Sequence, residues 1–200
     1  MSAKRSTNAR AAALECLLAV LGRGQSLDGA LASVLPALED PRDRGFCQAL
    51  AYGVLREHRR LGALRDQLLR SPLRSRDYDI ALLIELGLYQ LLVMDVPGHA
   101  AVSQTVALAH ERNKAWAAKL ANAVLRRFQR EMPTVLAAVD DQPAVRYSLP
   151  DWLLKRLQTD WPAQWMDLIA AQNTRAPMTL RRNARATAVP ELPPAQPMPG

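Results

Sequence analysis

The sequence predicts an all-α protein, and three observations carry the prediction. Apolar residues make up 49% of the chain but aromatic ones only 5%, so leucine and alanine, both good helix formers, do most of the packing. Apolar residues recur at spacings of three and four along most of the chain up to residue 131, the period of a helix with one buried face. The breaks between these stripes are short, so that consecutive helices pack antiparallel. With 200 residues, the chain can bury roughly 70% of its unfolded surface and needs no disulfide or metal to hold a core.

The elements follow in order. Leu14, Leu17, Leu18 and Leu21 mark a first helix that stops at the glycines of GRGQ. Ser26 is a cap for a second, striped by Leu27, Leu31, Val34, Leu35 and Leu38. Asp40 followed by Pro41 is a start signal, a cap and then proline at the first helical position. From there Phe46, Leu50, Val54, Leu61, Leu64 and Leu68 mark one long helix or two in series. Ile80, Leu83, Ile84, Gly87, Leu88, Leu91 and Leu92 form the most apolar stripe, expected at the centre of the bundle. DVPGH breaks it, and Pro97 opens a helix carrying Val102, Val106 and Ala109.

After the turn ERNK a further helix is expected from about Lys114 to Glu131. Within it Asn122 sits beside the apolar stripe and is expected to hydrogen-bond a neighbouring helix end or loop. Arg126, Arg127 and Arg130 are expected in its last turn, where the negative helix end favours them. Prolines 133, 143, 150 and 162 then divide the chain into short pieces, including two Trp-rich helices, and APMTLRRN reads as a short extended segment. The last residues, ATAVPELPPAQPMPG, have five prolines and no helical pattern, as a linker or a cut end does.

Charge narrows the function. Lys plus Arg number 26 against 19 Asp plus Glu, a net +7, and 22 of the 26 are arginine. The guanidinium fork matches a phosphate, so a basic, arginine-rich chain reads first as a nucleic-acid partner. A GC-rich genome would supply arginine codons anyway, which leaves the net charge to carry the inference. Cys16 and Cys47 have no metal or disulfide spacing, nor do His58, His99 and His110, so no metal is expected and a reducing cytoplasm is. Glu15 and Glu85 interrupt the two longest apolar runs, and neither reads as a signal peptide or a membrane span.

No nucleophile elbow, phosphate loop or dinucleotide fingerprint is present. The carboxylate pairs Asp40/Asp43 and Asp140/Asp141 lie at helix starts or turns, where capping and solvation explain them. Both cysteines lie among apolar residues, the setting of a packed thiol and not of a nucleophile. Basic clusters are the stronger signal: residues 56–76, 110–130 and 174–185, together with the basic N-terminus. The residues expected to contact RNA are Lys4, Arg5, Arg10, Lys114, Lys119, Arg126, Arg127, Arg130, Arg181 and Arg182. For any single cluster the plainer reading is a solvated helix face. Trp152, Trp161 and Trp165 can stack on bases, but at helical spacing beside prolines they are expected to anchor the short helices.

Several phrases resemble a known family. DRGFCQALAYGVLR (43–56), LGLYQLLVMDVPGHAAVSQTVALA (86–109), LANAVLRRF (120–128), LPDWLLKRL (149–157) and NTRAPMTLRRN (173–183) are similar, in this order, to the amino-terminal region of the ribosomal RNA small subunit methyltransferase B family, cytosine-5 methyltransferases of 16S ribosomal RNA. The resemblance implies an NusB-like helical domain over 1–139, the start of a small, mostly helical linking region over 140–183, and a proline-rich end over 184–200. It further implies 16S ribosomal RNA as partner, and a contact with the chain's own methyltransferase domain. In the family that later domain binds S-adenosylmethionine and carries the catalytic cysteines. Cys16 and Cys47 match neither, so methyl transfer is not expected of these residues. The alternatives are a free-standing NusB-like antitermination factor, which would end near its last bundle helix, and a helical interaction module without RNA contact.

Overall fold

The computed structural model describes residues 8–94, 96–112 and 114–174. Two compact units divide the chain, Met1–Trp165 and Met166–Gly200. Ten α-helices run through the described residues: α1 (Ala9–Leu17), α2 (Leu27–Val34), α3 (Pro41–Arg56), α4 (His58–Leu68), α5 (Tyr78–Leu92), α6 (Gly98–Glu111), α7 (Ala115–Asp140), α8 (Pro143–Arg146), α9 (Asp151–Asp160) and α10 (Trp165–Asn173). No strand occurs among the described residues, and the all-α expectation holds.

Local chemistry sets the helix starts. Asn8 Oδ1 accepts from the Ala11 N–H at 2.8 Å, Ser26 Oγ from Gly29 at 3.2 Å, and Asp40 Oδ1 from Arg42 at 2.8 Å, with Pro41 at the first helical position. Each satisfies a backbone donor that a helix start leaves orphaned. α1 passes through a π-helical turn, Leu18–Gly22, and ends before Gly24, whose φ of +67° suits a residue without a Cβ. The run from residue 41 to 68 resolves into two helices, broken at Glu57.

α5 is the centre. Every residue from Ile80 to Gln90 is buried, and α1, α3, α4, α6 and α7 all pack against it. The packing is close enough to select glycine twice. A Cβ on Gly53 of α3 would lie 2.0 Å from Tyr89 Cζ, and one on Gly87 would lie 2.8 Å from Leu125 Cδ1 of α7. Three polar side chains on or beside α5 are fully buried, and each is satisfied. Glu85 accepts from Arg65 Nη1 and lies 2.7 Å from His58 Nδ1, both on α4. Gln90 Oε1 accepts from Arg10 Nε at 2.7 Å, and its amide donates to Leu86 O at 3.1 Å. Thr105 Oγ1 donates to Ala101 O at 2.7 Å.

α7 departs from the expected boundary: it does not stop near Glu131 but continues through Pro133 to Asp140. A proline inside a helix costs about 3 kcal/mol, and packing offsets it here. Val135 and Val139 extend the buried stripe, and Asp140 holds Arg60 of α4 through two hydrogen bonds of 2.9 and 2.6 Å. Asn122 is also corrected. It is exposed and makes no side-chain hydrogen bond among the described residues. The buried stripe of α7 is instead Ala117, Ala118, Ala121, Val124, Leu125 and Phe128.

The segment after α7 returns to the bundle. Ser148 adopts φ +53°, a left-handed conformation that costs a non-glycine residue about 1 kcal/mol or more. Its Oγ accepts from the Arg59 N–H at 3.1 Å, and α4 has no cap from its own Glu57 side chain. The cap therefore comes from a residue far along the chain. Trp152 and Trp161 do not anchor their helices as expected, being 69% and 47% exposed. Leu149 and Leu154 are buried instead, and Trp165 packs edge-on against Tyr147 at 5.6 Å.

Arg65→Ala leaves the buried Glu85 carboxylate one partner short and is expected to cost about 3–5 kcal/mol of unfolding free energy. Urea denaturation measures this, and the double variant Arg65→Ala/Glu85→Leu should recover most of the loss.

Candidate nucleic-acid interface

Much of the positive charge is spent inside the fold. Of the expected RNA contacts, Arg10 donates to buried Gln90 and stacks 4.7 Å over the Phe46 ring. Burial works against its charge, partly offset by Asp43. Lys114, just before α7, reaches Asp79 at 2.7 Å and Asp77 at 3.1 Å, while Arg112 bridges Glu15 at 2.7 Å and Asp79 at 3.3 Å. Burial would lower the Lys114 ammonium, but the two carboxylates raise it above its ordinary value. Burial likewise works to raise the Asp79 carboxyl, and hydrogen bonds and charge from Lys114 and Arg112 overcome it and hold it below the usual carboxylate range. In the 56–76 cluster, Arg60 is taken by Asp140, Arg65 by Glu85 and Asp66, and Arg76 by Asp77.

Of the residues expected to contact RNA, those left over among the described residues lie along α7. Lys119, Arg126 and Arg130 are exposed and make no ion pair among the described residues; Arg126 only donates to Gln129 at 3.3 Å. Spaced seven and four residues apart, they fall within about 40° of one another around a helix of 3.6 residues per turn. The two carboxylates of α7, Glu131 and Asp140, are already engaged, by Arg127 at 2.8 Å and Arg60 at 2.6 Å. Arg127 also donates from Nη1 to the carbonyl of Leu68, the last residue of α4, at 3.2 Å. This revises the expected role of the three arginines. They lie in the middle of α7, so its own negative end cannot favour them, and it is the end of α4 that Arg127 serves.

Beside this basic edge lies a cleft of about 680 Å³ between the segment that follows α4 and the exposed side of α7. Arg70 and Pro72 form one wall; Trp116, Leu120, Arg127 and Arg130 form the other, and no carboxylate lines it. Arg127 and Arg130 were expected at a binding surface, whereas Arg70 and Trp116 were not singled out. Trp116, Leu120, Ala123 and Arg127 share one side of the helix, a spacing that could have drawn attention to the tryptophan. Lys4, Arg5, Arg181 and Arg182 lie outside the described residues.

A second cleft, of about 550 Å³, has Glu85, His58 and Arg65 on its floor, with Gln142, Val145 and Leu149 among its other residues. Of the three carboxylates that line it, Glu85 is held by the two α4 side chains and Asp66 by Arg65, while Asp151 makes no ion pair among the described residues. The two thiols are fully buried, and burial, with a smaller contribution from Cys16, pushes Cys47 up to about 11. A thiol held in that form is a packing group. Among the described residues no group of His, Cys, Asp and Glu is placed to hold a metal, and no helix is long and apolar enough to cross a membrane.

Because the folded pKa of Asp79 is depressed, its contribution to stability is complete above the unfolded value of about 3.9 and is lost as pH falls through the folded one. Asp79→Asn is therefore expected to cost about 1 kcal/mol at pH 7 and to flatten the acid limb of the stability curve, read by urea denaturation at stepped pH.

Known proteins resemble this chain over most of its length. Residues 149–192 match a family described as a methyltransferase RsmF/B-like, ferredoxin-like domain, of which α9 and α10 fall within the described residues. Curated relatives named ribosomal RNA small subunit methyltransferase B include those of Pseudomonas putida, 45% identical over 89% of this chain and 41% of the relative; Vibrio cholerae, 40% identical over 88% and 40%; and Escherichia coli, 38% identical over 90% and 42%. The chain thus spans about two-fifths of the length of these relatives. The NusB family model matches residues 7–130, more than half of the sequence, and the chain belongs to the NusB family.

Proposed function

We propose that these residues are the RNA-binding amino-terminal part of a 16S ribosomal RNA cytosine-5 methyltransferase, acting in the cytoplasm. The observation that carries the reading is the basic edge of α7, where Lys119, Arg126 and Arg130 have no carboxylate partner among the described residues, flanked by Arg70 across the cleft. Unpaired cations on one rigid helix are arranged to neutralise successive phosphates, releasing counterions as they do so. The similarity to ribosomal RNA methyltransferases along most of the chain supports the choice of RNA. The match over residues 149–192 favours this reading over a free-standing antitermination factor, which has no use for a methyltransferase-type extension.

S-adenosylmethionine is the cofactor such an enzyme implies, and the described residues do not fit it. A doubly wound fold binds such a ligand beyond the carboxyl ends of parallel strands, and among the described residues there is no strand. In this reading the methyl transfer belongs to the part of the relatives that these residues do not match. The role left to this chain is to hold and orient RNA, and a contact with the methyltransferase domain forms part of the same proposal.

Binding of 16S ribosomal RNA, followed by fluorescence anisotropy, is expected to weaken steeply between low and moderate salt. Replacing Lys119, Arg126 and Arg130 by alanine should leave helicity intact and make the slope of log affinity against log salt shallower by about 2. An affinity indifferent to salt would remove the phosphate contacts on which the proposal rests. Arg127 is left in place because it also holds the end of α4.

A further inference from the structure

We infer that the cleft beside the basic edge is a nucleobase-stacking subsite for single-stranded RNA, with Trp116 as its platform; the inference rests on the RNA reading above. Trp116 is 47% exposed at the start of α7 and makes no ring contact with another aromatic side chain among the described residues. An indole so exposed is not held there by the core, since the buried stripe of the helix is complete without it. It stands instead within a cleft of about 680 Å³, beside the apolar Leu120 and Pro72. Arg70, Arg127 and Arg130 line the same cleft, the last two about three and four turns further along α7, with no carboxylate in the lining.

A flat apolar face in a cleft that also carries guanidinium groups along its length suits a strand of flat rings joined by phosphates. A short single strand presents both, with one base on the indole and phosphates of nucleotides further along it on Arg70 and Arg130. A duplex cannot, because its bases are stacked on one another and only edges and backbone face outward. An acidic protein segment would satisfy the arginines but would leave the indole face with no planar partner. The subsite therefore adds a preference for unpaired RNA to the sequence-independent attraction of the α7 edge.

The test uses the full chain with a short single-stranded oligoadenylate and an RNA duplex of the same length. Titration with the oligoadenylate should quench tryptophan fluorescence, and Trp116→Phe should abolish that quenching although Trp152, Trp161 and Trp165 remain. Trp116→Phe should hold single-strand affinity within a few-fold, while Trp116→Ala should lose about ten-fold or more and leave duplex binding unchanged. If the wild-type chain binds RNA but quenching persists in Trp116→Phe, or Trp116→Ala binds the single strand as wild type does, the subsite is wrong and the RNA reading stands. If neither RNA binds the wild-type chain, the RNA reading falls and the subsite with it. Should Trp116→Ala fail to fold, the quenching measured in Trp116→Phe still decides.

Discussion

A helix that is apolar on every side has to be surrounded, and α5 imposes that condition on the rest of the bundle. Its buried run from Ile80 to Gln90 leaves no face for water, so α1, α3, α4, α6 and α7 are arranged as its walls. Apolar contact alone would let these walls slide, because one leucine face is much like another. Two polar groups remove that freedom. Glu85 accepts only where Arg65 and His58 stand opposite it, and Gln90 only where Arg10 does. A buried carboxylate or amide without its partners is costly, so α4 and α1 each have one acceptable register against the centre.

The surface charge of the molecule is what this arrangement leaves over. Arginines near the core are drawn inward to Glu85, Gln90 and Asp140, and Lys114 and Arg112 close the network of Asp77, Asp79 and Glu15. The edge of α7 escapes because the helix carries only two carboxylates and both are engaged by other arginines. Net charge thus says little about where a polyanion would lie. The informative quantity is the set of cations with nothing inside the protein to hold them.

The helices were readable because each rests on local rules. Asn8, Ser26 and Asp40 cap with their own side chains, and the stripe of α5 keeps period without interruption. The end of α7 was not readable, since Pro133 is a local stop signal and the residues that overrule it, Arg60 and the core around Val135 and Val139, are distant in sequence. Asn122 misled for a related reason: its neighbours in sequence are apolar, but Ala123 beside it is exposed as well, so both lie outside the buried stripe. The basic clusters could be counted in the sequence, but their division into spent and unspent cations could not. Lys114 and Lys119 are five residues apart; one is locked between two aspartates and the other is open. Trp116 was hidden because exposure of an aromatic depends on what the neighbouring segment covers.

The cap that Ser148 supplies to α4 bears on the order in which the chain can be completed during synthesis. α4 lies early in the sequence, yet the acceptor for its Arg59 N–H and the carboxylate for Arg60 arrive only with residues 148 and 140. Until those emerge, α4 can be helical and tied to α7 at its far end by Arg127, but its first turn is open to water. The segment that closes the bundle is therefore also the segment that leads out of it, beyond the residues 7–130 matched by the family. Whatever is translated next begins from a bundle that has only just been latched.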